Sequence, residues 1–203
     1  DYAHWQNSTQ VKQQQKSDLS FWREKLAGIP AQLALPFDNP RTNSSNHGDA
    51  VYFDISTSVT QQLKALANQY QCSLFMLLTS AYTALIHQET RSQDIVIGTD
   101  VANREHYQTE NILGFFVNLL PLRVKPKPTQ RFTDYLQQVR QVCLDSFHHQ
   151  AVPFDQIVEA VKPERISGMH PLVQALLVMQ NTPDNQNSLA DLTVTSIPTQ
   201  QQH

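Results

Sequence analysis

The chain is poor in the features that usually announce a chemistry. It has 203 residues with only 5 glycines and 2 cysteines, and its charged residues make up 16%. No G-x-S-x-G elbow, Walker loop or dinucleotide fingerprint occurs, so a self-contained hydrolase or kinase is unsupported. No basic block is present, and the net charge is −3. That balance argues against nucleic acid or anionic membranes as main partners. No run is long and apolar enough to span a bilayer, because the richest, 74–86, is broken by Thr79, Ser80, Tyr82 and Thr83. Cys72 and Cys143 lie far apart beside apolar residues. They read as reduced buried thiols of a cytoplasmic protein rather than a disulfide. His4, His106 and His170 are scattered without metal-ligand spacing, which leaves no zinc site to propose. The chain opens at Asp1, with neither methionine nor an apolar signal, and is expected to be a piece of a longer polypeptide.

What is present is a folded α/β pattern. A chain this long can bury roughly 70% of its unfolded surface, enough for a core without staples. Lys12 to Lys16 reads as a solvated linker or helix start, and Leu19, Trp22 and Leu26 form one helical face that Gly28 and Pro30 close. A Pro/Asn/Ser loop spans 36–49. Ala50 to Ile55 alternates as a strand, Ser58 can cap a helix bearing Val59, Leu63, Leu66 and Tyr70, and Ser73 opens a helix apolar nearly all round. Strands are predicted over 94–98 and 116–124, a long amphipathic helix from Phe132 to near Gln150, and a short helix from Pro153. Leu172 to Gln180 and Leu192 to Ile197 are the last strand candidates, and 199–203 is a glutamine-rich tail. Intermixed strands and helices favour a layered α/β fold over a bundle or sandwich.

The most informative stretch is Ile112-Leu113-Gly114-Phe115-Phe116-Val117-Asn118-Leu119-Leu120-Pro121-Leu122-Arg123, an apolar run with one amide set inside it. A carboxamide in a buried strand must be hydrogen-bonded, since leaving it unpaired costs about 1–3 kcal/mol. It serves either core packing or a ligand. His148-His149 invites attention as a catalytic pair, but adjacent helical residues point about 100° apart. They read instead as exposed helix-end residues complementing the C-terminal dipole. Glu159, Glu164 and Arg165 read as a solvated charged face.

Several segments, in order, resemble condensation domains of non-ribosomal peptide synthetases. Asp1-Tyr2-Ala3-His4-Trp5-Gln6 is similar to the family's fourth motif, and Ile112 to Arg123 to its fifth. Phe21 to Gly28 and Leu35 to Arg41 resemble the intervening helix and proline loop, and Ile97 to Arg104 the strand and turn before the fifth motif. His149 to Asp155 resembles the sixth motif, and Arg165 to Leu172 the seventh, where Ile166, Gly168 and Met169 depart from the usual acidic residue, serine and arginine. The resemblance covers roughly 1–183. It implies the C-terminal lobe of a two-lobed, chloramphenicol-acetyltransferase-like α/β acyltransferase, a mixed sheet flanked by helices, with 1–16 an inter-lobe linker, 17–198 the lobe and 199–203 the tail.

The family's H-H-x-x-x-D-G signature is absent from these residues, since Pro153 stands where the aspartate would follow His148-His149. By resemblance the catalytic histidine belongs to an N-terminal lobe, and this chain would be inactive alone. The resemblance implies Asn118, Arg104, Asn103, Thr99 and Phe115 as substrate-binding or tunnel-lining residues, with Arg104 also able to brace the cleft against a carboxylate of the other lobe. No cofactor would be bound directly; the phosphopantetheine arms of donor and acceptor carrier proteins would enter, and an adenylation domain would be a neighbour. The alternatives are a non-catalytic module docking carriers or a subunit, and the same lobe of an epimerisation or heterocyclisation domain.

Overall fold

The computed structural model describes residues 2–37, 48–104 and 107–180. Two helices open the chain, α1 (Tyr2–Gln6) and α2 (Thr9–Lys25). Ser8 starts α2, its hydroxyl accepting from the Val11 amide at 3.4 Å. The Lys/Gln tract at 12–16 consists of straight-chain helix formers. It therefore continues the helix, and the linker boundary expected between 16 and 17 falls inside one uninterrupted element. Gly28, at φ +63°, and Pro30 end this region as expected.

Residues 50–55 are not a strand. Val51, Tyr52 and Phe53 are 88%, 83% and 81% exposed, with no sheet partner among the described residues. An alternating pattern forms a strand only where a neighbour supplies the ladder. Helix α3 (Thr57–Gln69) is capped by Ser56 rather than Ser58, and α4 (Leu74–Thr90) by Ser73, whose hydroxyl accepts from Met76 at 3.1 Å. Two of the buried hydroxyls inside α4 are satisfied: Ser80 donates to the Met76 carbonyl, and Thr83 bonds the Thr79 carbonyl and shares a 2.7 Å bond with the Tyr135 hydroxyl.

Strands β1 (Ile95–Val101) and β2 (Asn118–Val124) pair antiparallel, Ile95 opposite Val124 and Val101 opposite Asn118. The segment around Leu176 joins the other edge of β1 in parallel, with Gly98 donating to Ala175 and Leu177 to Gly98. A Cβ at Gly98 would lie 2.6 Å from the side chains of both Leu176 and Val173, so only glycine admits this close approach. The sheet is mixed, as the resemblance implied. A 3-10 helix (Tyr107–Thr109) lies between β1 and β2, and helices α5 (Phe132–His148) and α6 (Phe154–Val161) complete the described elements, α6 opening at Pro153. The candidates at 192–197 and 199–203 lie outside the described residues.

The period-two alternation of β1 feeds two cores. Ile95 and Ile97 pack with Leu122, Val124, Leu136 and Val139 on the α3–α4–α5 side. Val96 and Leu120 pack with Trp22, Leu26, Val152 and Ile157 on the α2–α6 side. Helices thus cover both faces, and the buried Cys72 and Cys143 are free thiols. No helix of the described residues is long and apolar enough to cross a membrane.

Candidate functional site

Segments remote in sequence converge where β2 begins. Asn118 is buried, and its amide is engaged at both ends. Nδ2 donates to the Gln150 carbonyl at 2.9 Å and the Val152 carbonyl at 2.8 Å, while Oδ1 accepts from the Phe154 amide at 3.1 Å. A single carboxamide therefore bonds three backbone groups between the end of α5 and the start of α6. Of the two roles open to it from sequence, packing specificity is the one its contacts express.

Helix α2 holds the same loop from the opposite side. Trp22 Nε1 donates to the His149 carbonyl at 3.1 Å, and His149 Nδ1 lies 2.7 Å from Asp18 Oδ1. Phe21 stacks on the His149 ring at 3.9 Å. His149 is therefore a packed, paired residue rather than the exposed helix-end group expected; only His148, the last residue of α5, is exposed. Sequence reasoning missed Asp18, because its partner is 131 residues away.

Arg104 follows Asn103, which turns the chain at φ +52°. The Arg104 guanidinium donates to the carbonyls of Thr109, Ile112 (3.0 Å) and Gly114 (3.3 Å) and lies over the Phe116 ring at 4.3 Å. No carboxylate pairs with it among the described residues. Tyr2 of α1 meets the edge of the same Phe116 ring at 4.9 Å and stands 5.5 Å from Trp5. Asn103, Thr109, Tyr2, Trp5 and Ala151 line a small cavity of about 30 Å³ between α1 and the two loops.

The residues named from sequence thus divide. Asn103, Arg104 and Asn118 belong to this junction. Thr99 is buried in β1 and borders a separate cavity of about 390 Å³ with Ser73, Asp100 and Phe147. Phe115 is 91% exposed and neighbouring Leu113 fully so. Sequence reasoning also passed over Arg123 and Gln174, which anchor the frame. Gln174 accepts from the Leu33 amide and donates to the carbonyls of Ala31 and His170. Arg123 is buried, with Nε 2.8 Å from Asp94 Oδ1 and Nη2 2.5 Å from Oδ2, and it also donates to the carbonyls of Lys25, Ala27 and Gly28. Among the described residues, no group of three or more acidic, histidine or cysteine side chains could hold a metal. The junction offers hydrogen-bond donors and an apolar loop, with no nucleophile–base pair.

The family model of the condensation domain matches residues 1–203. The chain is 37% identical over 199 residues to a probable non-canonical nonribosomal peptide synthetase, CymA, of Salinispora arenicola, covering 95% of this chain and 3% of that one. It superposes on a four-domain nonribosomal peptide synthetase, solved with AMP and glycine, at a TM-score of 0.79 and 32% identity, covering 82% of this chain and 13% of that one. The condensation domain of the Monacolin K polyketide synthase MokA shares the fold alone, at a TM-score of 0.72 and 22% identity, with 87% of this chain matched to 44% of that one.

Proposed function

This chain belongs to the condensation-domain family, and from that premise we propose that it is the C-terminal lobe of an amide-forming condensation domain in non-ribosomal peptide synthesis. In that reaction the amine of an acceptor, held as a thioester on one carrier protein, attacks the carbonyl of a donor thioester on another. The C–N bond forms, the C–S bond breaks, and the proton lost by the amine leaves with the pantetheine thiol. The chemistry needs both arms held end to end and the developing oxyanion or zwitterion stabilised. The proton-handling imidazole comes from an H-H-x-x-x-D-G segment outside these 203 residues.

The role of the present residues is positional. The loop braced by Arg104 supplies Leu113 and Phe115 to one wall of a tunnel whose other wall is the N-terminal lobe. Asn103 lines its flank, Thr99 borders the separate cavity beside β1, and Asn118 keeps the α5–α6 loop in register with that wall. Donor and acceptor carriers, with their phosphopantetheine arms, and an adjacent adenylation domain are the partners of this reading.

One observation carries it. The segments that resemble the fourth, fifth and sixth family motifs meet at one place, Tyr2 and Arg104 on Phe116, and Asn118 on the 150–154 loop. The test is a condensation assay with aminoacyl-loaded carriers. The chain alone is expected to form no amide, and adding the matching N-terminal lobe should restore turnover. Amide formation by the chain alone at the rate of an intact domain would reject the proposal.

A further inference from the structure

Past the 3-10 helix Tyr107–Thr109, the loop to residue 117 has little regular hydrogen bonding of its own. Its backbone contributes one internal bond besides those of secondary structure, the Ile112 amide to the Thr109 carbonyl. Its carbonyls at 109, 112 and 114 converge instead on a single guanidinium. Ile112, Leu113, Phe115 and Val117 are exposed, so apolar burial does not fix them either. Phe116 is the one aromatic ring of the loop that turns inward, between Arg104 and Tyr2.

We infer that Arg104 is a positioning residue, setting the conformation of the 109–117 loop and the placement of Leu113 and Phe115 without touching substrate itself. A planar fork that spans three separated carbonyls and covers a ring cannot be reproduced by the compact ammonium of lysine. Three of its five donors are committed to carbonyls and one face to Phe116, which ties the group to the loop. The conformational part stands on this geometry alone; its effect on catalysis rests on the proposed condensation role.

Hydrogen–deuterium exchange on the full chain separates the possibilities. Arg104→Lys should speed exchange of the 109–117 amides by about 10-fold or more while β1, β2 and the melting midpoint hold. Phe116→Leu should do the same more weakly, and it decides the matter if the lysine variant melts. Unchanged loop exchange in both variants overturns the inference.

In the reassembled domain, Arg104→Lys and Phe115→Ala should each slow amide formation, and the double variant should be no slower than the worse single, because both act through one loop. Multiplying defects would mean that Arg104 acts independently of the Phe115 loop, and would reject the positioning role. If the wild-type assembly forms no amide, the condensation reading fails and the exchange result still decides the inference.

Discussion

Two arginines in this molecule each gather three backbone carbonyls, and they do opposite work. Arg123 lies buried in β2, neutralised by Asp94, and ties the end of α2 to the sheet. Arg104 lies half-exposed, has carbonyls and a ring but no carboxylate among the described residues, and orders a loop that bears exposed apolar side chains. The first shapes the fold. The second shapes a surface that the fold presents. Charge neutralisation separates the two: a buried guanidinium needs a counter-ion to offset desolvation, whereas a half-solvated one can serve carbonyl dipoles alone.

The sharpest way to break this contrast is to remove each cation. Arg123→Met should cost about 3 kcal/mol in urea unfolding, the lower part of the range for a severed buried pair, because Asp94 stays partly exposed and Lys125 sits 3.9 Å from it. Arg104→Met should cost less than about 1 kcal/mol. Equal losses would erase the distinction.

Asn118 supplies the neutral case. Asn118→Ala leaves two carbonyls and one amide of the 150–154 loop without their partner and should cost about 2 kcal/mol. In the reassembled domain it should also lower turnover. Lost stability with normal turnover in the folded fraction would confine Asn118 to the core.

A smaller effect tests whether charge elsewhere governs stability. Burial pushes the Cys143 thiol up to about 12 from 9.0, with nearby Cys72 adding to the rise, and pushes the Tyr135 hydroxyl up to about 12 from 10.0 against an opposing bond from Thr83. Both groups stay protonated in the fold where the unfolded chain would ionise. Their stabilisation is complete below the unfolded values and is lost as pH rises through the folded ones, a window from about 9 to 12. At pH 10 the thiol alone should cost about 1 kcal/mol. The loss should match in wild type and Arg104→Met, because guanidinium does not titrate there. Denaturation at pH 7 and pH 10 measures it.

Much of the scaffold was legible because it rests on local rules. The apolar periodicity of α4 and α5, the Ser73 cap and the Pro153 start all read directly from neighbouring residues. Strand β2 begins two residues later than its apolar run, because Phe116 and Val117 belong to the braced loop. Residues 50–55 carried a strand pattern, but no ladder partner stands beside them among the described residues. Asn118 could be flagged as an amide in an apolar run, yet its partners are backbone atoms 32 to 36 residues away, which leave no mark in side-chain identity. Arg123 was hidden for the same reason, as were the carbonyl partners of Arg104, a residue named only through the resemblance. Sequence suggests a carboxylate for an arginine far more readily than it suggests a set of carbonyls.

The placement of the two tryptophans gives this protein built-in optical probes. Trp22 is fully enclosed, with its indole hydrogen-bonded to the α5 terminus, while Trp5 on α1 is 39% solvent-accessible and near the Tyr2–Phe116 pair. Acrylamide should therefore quench one emitter and spare the other. Movement of the first helix and loosening of the interior can then be followed separately in a single unlabelled sample.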